Sequence, residues 1–298
     1  MPEQQCPCLT IAVAAGKGGT GKTLVSTSLA QALSTLYPGQ VQFLDCDVEE
    51  PNAHLLLRPE ISAQDPVTVL VPEVDLNVCT RCGRCADACQ NHAIAVIRQA
   101  VVTFPELCSG CGACAYVCRA GAIREVPRQV GTVHLGRTAD GLEFVAGELN
   151  VGDQKATPVT HAVKRHTRRD RLSIIDAPPG TACPMQETVD DSDFCLLVTE
   201  PTPFGLSDLR LAVETCRGLG VPCGVLVNRA GSGFDGVDEY CEAEGLPLVG
   251  RIEQDRAIAE AYSRGHGLLA ARPETGDLLL AVFARIEKLI VQEVSQDD

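Results

Sequence analysis

The chain has 298 residues, of which 45% are hydrophobic, and a formal net charge of −14. This length suffices for one large α/β domain or for a domain that carries a smaller one, while the acidity argues against nucleic acid and anionic lipid as partners. No apolar run approaches the ~20 residues of a membrane span, and the 16 cysteines without an export signal favour metal or redox chemistry in the cytoplasm over disulfides.

The first predicted element is a buried strand that runs into a glycine loop. The loop follows CLTIAVAA, and apolar residues then recur with helical period from Val25 to Leu36. Strand, loop and helix are the context of a phosphate-binding loop, in which Lys22 would neutralise the phosphates and the Thr23 hydroxyl would bind Mg²⁺. The backbone N–H groups expected to surround the phosphates are those of Gly16, Gly18, Gly19, Thr20, Gly21, Lys22 and Thr23.

Further short apolar runs alternate with helical stretches, first at VQFLDCD and later at LSIIDAPPG, DFCLLVTEP and PCGVLVNR. This alternation predicts an α/β fold, a mostly parallel sheet with helices on both faces. Asp45, Asp47, Asp176 and Asn228 stand at strand ends, where such sheets bind ligands. We expect Asp176 to hold Mg²⁺ through water, Asp47 to orient an attacking water, and the N–H of Gly180 to reach a γ-phosphate.

An internal repeat interrupts this alternation. Four cysteines recur after a displacement of 29 residues, so that Cys79, Cys82, Cys85 and Cys89 correspond to Cys108, Cys111, Cys114 and Cys118. The pairs Ala93-Ile94 and Ala122-Ile123 obey the same displacement. The repeat predicts a small α+β domain at 58–128, inserted into a larger domain formed by 1–57 and 129–298.

The spacing Cys-x2-Cys-x2-Cys-x3-Cys is typical of proteins with two [4Fe–4S] clusters, in which the fourth cysteine of each run serves the other cluster. One cluster would then be held by Cys79, Cys82, Cys85 and Cys118, and the other by Cys108, Cys111, Cys114 and Cys89. Two zinc sites are the alternative, although zinc ribbons use separated Cys-x2-Cys pairs.

The remaining cysteines carry less information. Cys195, Cys216 and Cys223 lie in apolar contexts and are expected to be small core residues. Cys183 directly follows the DAPPGT loop, so a structural role and a redox or cluster role at a dimer interface both stay open. The last helical stretch places Leu278, Val282, Ile286 and Leu289 on one face, which predicts a helix that covers the core.

Three motifs resemble a known family. KGGTGKT resembles the deviant Walker A loop of the MinD/ParA ATPases, DCDVEEPN their switch motif, and DAPPGT the corresponding motif of the Mrp branch of iron–sulfur carriers. The repeat resembles a two-cluster bacterial ferredoxin, except that Gln90 and Arg119 replace the usual proline after the fourth cysteine. The resemblance implies an ATPase that forms a homodimer around ATP, in which Lys17 reaches the partner's phosphates and Asn228 recognises adenine.

The expected function is ATP hydrolysis coupled to electron transfer, or to assembly of a metal cluster on a partner protein. Its cofactors would be ATP, Mg²⁺ and two [4Fe–4S] clusters, and its partners a second copy of the chain and an unidentified redox or metallocluster protein. The alternative is a positioning switch in which the clusters are structural or sense redox state. The basic membrane-binding tail of MinD proteins is not recognisable in the sequence, which favours the first function.

Overall fold

The computed structural model describes residues 6–98, 100–231 and 233–294, and for residues 293 and 294 it describes the backbone only. Within these ranges the strands are β1 (Thr10–Ala14), β2 (Val41–Asp45), β3 (Glu60–Val74), β4 (Ile94–Ile97), β5 (Ala100–Thr103), β6 (Ile123–Arg137), β7 (Glu143–Leu149), β8 (Leu172–Asp176), β9 (Phe194–Thr199), β10 (Cys223–Ala230) and β11 (Leu248–Glu253). The helices are α1 (Lys22–Leu36), α2 (Ala53–Leu57), α3 (Arg84–Asp87), α4 (Ala113–Tyr116), α5 (Thr157–Lys164), α6 (Cys183–Val189), α7 (Pro203–Leu219), α8 (Gly236–Ala243), α9 (Arg256–Tyr262), α10 (Leu268–Ala271) and α11 (Thr275–Val294), with a 3₁₀ turn at Pro105–Leu107. No helix in these ranges is both long and apolar enough to cross a membrane.

Nine strands form the main sheet in the order β11-β10-β9-β1-β8-β2-β7-β6-β3. β1 pairs in parallel with β8 and β9, β2 with β8 and β7, and β10 with β9 and β11. The prediction of a mostly parallel α/β sheet is therefore confirmed. In this register Asp45 lies directly beside Asp176, at the carboxyl ends of β2 and β8.

Helices cover both faces of the sheet because its strands are apolar on both sides. Ile11 and Val13 of β1 belong to one hydrophobic cluster, and the alternate residues Ala12 and Ala14 belong to another. The first cluster includes side chains of α1 and α11, namely Val25, Leu29, Leu33, Leu279, Val282 and Ile286. The second includes side chains of α6, α7 and α8, namely Met185, Val189, Leu209, Val213, Val237 and Cys241.

The residues at the ends of the predicted apolar faces of α1 and α11 differ in burial. On α1 the predicted apolar face is wrong at its last residue, since Leu33 is fully buried but Leu36 is 39% exposed. The chain leaves the helix there, and Tyr37 is buried instead, with its ring edge-on to Phe283. On α11, Leu278 and Leu289 are partly buried against the core, as expected for a covering helix.

The chain divides into two compact units. The first comprises the residues up to Gln64, Val133–Glu148 and the residues from Thr160 onward, and the second comprises Asp65–Thr132 and Leu149–Val159. The second unit contains all eight cysteines of the repeat, the antiparallel pair β4–β5, and the one-turn helices α3 and α4. The ferredoxin-like identity of this part of the chain, and its limits at 58 and 128, stay predictions.

Candidate nucleotide site and cysteine sites

The glycine loop joins β1 to α1 and packs closely on two neighbouring segments of the first unit. Gly19 and Gly21 have φ angles of 83° and 88°, the left-handed region that favours glycine. A Cβ atom on Gly21 would lie 2.3 Å from the Asn228 Nδ2 atom, and one on Gly16 would lie 2.1 Å from the Asp208 carbonyl oxygen. Position 16 therefore needs glycine because the neighbouring backbone lies so close. Position 21 needs it because of a close neighbour and because of its positive φ angle.

The four residues predicted to act on phosphate, Mg²⁺ and water lie together at the end of this loop. The buried Lys22 Nζ atom is 2.9 Å from the Asp176 Oδ1 atom and 3.8 Å from the Asp47 Oδ2 atom. The Thr23 hydroxyl donates to the Asp176 Oδ2 atom at 2.7 Å. One ammonium and one hydroxyl thus converge on two carboxylates contributed by β8 and by the segment after β2.

A third carboxyl group, that of the fully buried Asp45, lies beside Asp176. Burial, reinforced by Asp176, raises the pKa of Asp45 to about 8, and burial raises the pKa of Asp47 to about 6. Burial opposes the charge of Lys22, but Asp176 and Asp47 outweigh it and raise the pKa of Lys22 above its ordinary value. A site with several carboxyl oxygens suits a hard divalent cation.

Asp45 has a role that the sequence analysis did not assign. Its Oδ1 atom accepts the backbone N–H of Asp47 at 3.1 Å, and its Oδ2 atom accepts the N–H of Ala53 at 3.2 Å. The two bonds close the turn from Asp47 to Asn52 and tie it to the start of α2. A signal was present in the Asp-x-Asp pattern at the strand end, where the first aspartate is a turn-forming residue.

Gly180 and Asn228 also contact the glycine loop. The N–H of Gly180 donates to the Ala15 carbonyl at 3.0 Å, so a bond from it to a phosphate requires the 180 loop to move. The Asn228 amide donates to the Thr20 carbonyl at 2.7 Å and accepts the N–H of Arg229 at 3.0 Å. In this structure Asn228 braces the loop, and adenine recognition by its side chain stays a prediction.

Lys17 is placed differently from Lys22. Its Nζ atom lies 4.0 Å from the Asp208 Oδ2 atom on α7, and both side chains are about one-third exposed. Lys17 lines a cavity of about 600 Å³ together with Lys22, Asp47 and Asn228. Residues between Glu253 and Tyr262 also line this cavity, and its volume is typical of small-molecule sites.

The cysteines of the second unit line two separate cavities. Cys79, Cys82, Cys85 and Cys118 line one, and Cys89, Cys108, Cys111 and Cys114 line the other. These are the two crossed sets of four expected from the spacing. In the part of the chain that the structure describes, however, no group of three or more His, Cys, Asp or Glu residues is arranged to hold a metal ion.

Hydrogen bonds to the sulfur atoms repeat in the two halves. Arg81 N donates to the Cys79 Sγ atom at 3.4 Å, and 29 residues later Gly110 N donates to Cys108 at the same distance. The next pair is also equivalent, since Ala93 N donates to the Cys89 Sγ atom at 3.2 Å and Ala122 N to Cys118 at 3.3 Å. The backbone thus presents N–H groups to four sulfur atoms, at equivalent positions of the two halves.

The thiols differ in acidity. A side-chain hydrogen bond from Arg84 lowers the pKa of Cys82 to about 7, and the Ala113 N–H lowers the pKa of Cys111. Burial raises the pKa of Cys85 and Cys114. Outside the repeat, Cys195 and Cys216 are buried core residues as predicted, Cys223 is half-buried, and Cys183 is exposed at the start of α6.

Comparison with known proteins places this site in a family context. Residues 11–269 match the family model described as the CobQ/CobB/MinD/ParA nucleotide binding domain. An uncharacterized protein of Methanocaldococcus jannaschii is 37% identical over 227 residues, which are 75% of this chain and 79% of that protein. A Drosophila grimshawi protein named cytosolic Fe-S cluster assembly factor Nubp1 homolog is 27% identical over 139 residues, 39% of this chain and 45% of that protein.

Solved structures show the same fold. The cell division ATPase MinD of Pyrococcus furiosus superposes with a TM-score of 0.57, covering 94% of this chain and 99% of that chain at 21% sequence identity. At this identity the likeness concerns the fold.

The close approach of Gly16 to α7 generates a prediction with a matched control. Gly16→Ala should destabilise the protein by about 1–3 kcal/mol, since its methyl group would collide with the Asp208 backbone. Gly18→Ala should have little effect, because a Cβ there meets nothing within 4 Å and neither glycine has a positive φ. Urea unfolding measures both, and equal stability of the two variants would contradict the described packing.

Proposed function

Since this chain belongs to the CobQ/CobB/MinD/ParA family of nucleotide-binding domains, we propose that it hydrolyses ATP and couples its nucleotide state to two [4Fe–4S] clusters on the same chain. One observation carries the proposal. A buried lysine, a threonine hydroxyl and the carboxylates Asp47 and Asp176 converge at a glycine loop, in a chain that also sets four thiols around each of two cavities.

The nucleotide end fits ATP with Mg²⁺ by its donor set. Thr23, Asp47 and Asp176 offer hard oxygen ligands to Mg²⁺, directly or through water, and the ion would neutralise charge on the phosphates. The Thr20 hydroxyl is buried without a hydrogen-bond partner among the described residues, which leaves a donor in the loop for a phosphate oxygen. Lys22 would exchange part of its pairing with Asp176 for the phosphates.

Asp47 is the residue best placed to orient the attacking water. Its side chain is 13% exposed on the wall of the cavity, whereas that of Asp176 is fully buried behind Lys22. The raised pKa of about 6 still leaves Asp47 mostly ionised at neutral pH, so that it can accept a hydrogen bond from water. Asp45 would hold the turn that begins at Asp47 in place, because it accepts the N–H of Asp47 at one end and the N–H of Ala53 at the other.

We assign Lys17 to the nucleotide of a second copy of the chain. The position supports this role, because Lys17 lies at the cavity wall, one-third exposed, and its ion pair with Asp208 is long at 4.0 Å. In an ATP-bridged homodimer it would supply a positive charge across the interface, comparable to an arginine finger. The isolated chain would then bind ATP but hydrolyse it slowly.

The donor sets of the second unit fit iron–sulfur clusters. Four thiols around a cavity can each bind one iron of a [4Fe–4S] cluster, with N–H donors already directed at four of the sulfur atoms. Two zinc ions, each bound by four thiols, are the alternative occupants of these sets, and metal content distinguishes them from clusters. The clusters would supply one-electron redox chemistry, and the eight cysteines would hold them.

The downstream role is electron transfer to a partner, or assembly of a metal cluster on one. The partial similarity to a protein named as an Fe-S cluster assembly factor supports a redox or metallocluster protein as the partner. The alternative is a positioning switch of the MinD/ParA kind, in which the clusters stabilise the chain or sense redox state. Membership of the CobQ/CobB/MinD/ParA family supports that alternative.

Substitution of Lys22 and substitution of Lys17 should have different effects on ATP binding and hydrolysis. Lys22→Ala should lose both ATP binding and hydrolysis, because the buried charge at the phosphates is gone. Lys17→Ala should still bind ATP as a monomer but hydrolyse it about 10³-fold more slowly, the scale of a missing arginine finger. Binding of a fluorescent ATP analogue and phosphate release at several protein concentrations measure both, and hydrolysis by Lys17→Ala at the unmutated rate would contradict the trans role.

Metal content tests the cluster proposal. Anaerobic preparations should contain about eight iron and eight sulfide per chain, as two four-iron sites require. Cys118→Ala should lose the same cluster signal as Cys79→Ala, and Cys108→Ala the other signal, because the sets cross between the repeats. Cys8→Ala, at an exposed cysteine outside the repeat, is the control and should keep all the iron. Stoichiometric zinc in place of iron would contradict the proposal.

A further inference from the structure

The two cysteine sites have equivalent backbones but different charges. Four positions that line one or both cavities correspond through the 29-residue repeat, and their residues differ in each pair: Arg81 and Gly110, Arg84 and Ala113, Val96 and Glu125, and Arg119 and Gln90. Each site is therefore a natural control for the other. We call the set with Cys79, Cys82, Cys85 and Cys118 the arginine site, and the set with Cys89, Cys108, Cys111 and Cys114 the glutamate site.

Positive charge is concentrated at the arginine site. The Arg84 Nε atom donates to the Cys82 Sγ atom at 3.5 Å, and Arg81 and Arg119 line the same cavity. Arg84 is half-buried, whereas the other two arginines are exposed, so solvent screens its charge least. Arg84 thus combines a direct hydrogen bond to sulfur with the least screened of the three charges.

The glutamate site is close to neutral by comparison. Glu125 lines its cavity, and Ala113 replaces the arginine that donates to sulfur in the other site. A cation does stand nearby, since the Lys155 Nζ atom donates to the Leu107 carbonyl at 2.7 Å and interacts electrostatically with Cys108 and Cys111. One lysine against one glutamate leaves no net charge, whereas the arginine site has three arginines.

This difference bears on redox chemistry. Reduction of a cluster adds one electron and one negative charge, which neighbouring cations and hydrogen bonds to sulfur stabilise, so that both raise the reduction potential. Accepting the proposed clusters, we infer that the arginine site has the higher potential of the two and that Arg84 is the main residue that sets the difference. With both clusters bound, a single electron supplied by a one-electron donor would favour the arginine site at equilibrium.

The test is an anaerobic, EPR-monitored titration of the full chain with dithionite. Arg84→Ala should lower the higher of the two potentials and leave the lower one in place. The expected size is about a tenfold fall in the ratio of reduced to oxidised cluster at a fixed potential, equivalent to 59 mV for one electron. Arg84→Gln, which keeps an N–H donor without the charge, should shift the same potential by less.

The repeat supplies the reciprocal variant. Ala113→Arg places an arginine at the equivalent position of the glutamate site and should raise the lower potential, and Glu125→Gln should do the same. A shift of the lower potential by Arg84→Ala, or no shift in any variant, would overturn the inference. Iron and sulfide are counted on the same samples. Fewer than eight iron and eight sulfide in the unmutated chain would count against the proposed clusters. Eight of each, with the same two potentials in every variant, would count against the inference about Arg84 and not against the clusters.

Discussion

A buried lysine surrounded by three carboxyl groups organises the nucleotide end of this molecule. Lys22 begins α1, Asp45 and Asp176 end neighbouring parallel strands, and Asp47 lies two residues after the end of β2. Removing one member of such a buried set costs about 3–5 kcal/mol, because the remaining charges lose their compensation. Burial raises the pKa values of Asp45 and Asp47, because it removes the water that would stabilise their charged forms. The groups that are buried here on folding are also those that would face Mg²⁺ and the phosphates, so folding and ligand binding depend on the same charges.

Much of this end could be predicted from the sequence, since parallel strands bring their carboxyl ends together and the motifs stand at those ends. Close tertiary approach could not be predicted. Nothing local to Gly16 indicates that the Asp208 carbonyl lies against it, and nothing local to Asn228 indicates that its amide reaches the Thr20 carbonyl. The prediction that Leu36 is buried at the end of α1 was wrong. Helical period does not show where the chain leaves the helix, and there Tyr37 is buried and Leu36 is exposed.

For the cysteine repeat, the spacing predicted which cysteines lie together but not the charges around them. Spacing alone suggested two crossed sets of four, and the structure lines each cavity with one of those sets. The difference in charge between the sites depends on which of the intervening side chains reach a cavity, and spacing does not contain that information. Arg84 and Glu125 became informative only when each was found at one cavity and its counterpart in the repeat, Ala113 or Val96, at the other.

Chain connectivity links the two chemistries. Asp45 ties the turn that begins at Asp47 to α2, and β3 then leads from Glu60 towards the first cysteine of the repeat. If nucleotide state and cluster state are coupled, linkage requires reduction to change ATP affinity by the same free energy as ATP changes the potential. The decisive measurement is the affinity for a non-hydrolysable ATP analogue of the oxidised and the dithionite-reduced protein, with ADP in parallel. We expect the ratio of the two analogue affinities to differ from one by about 5-fold or more, the lower end of usual allosteric coupling. Equal affinities in both redox states would contradict the coupling and favour the positioning switch.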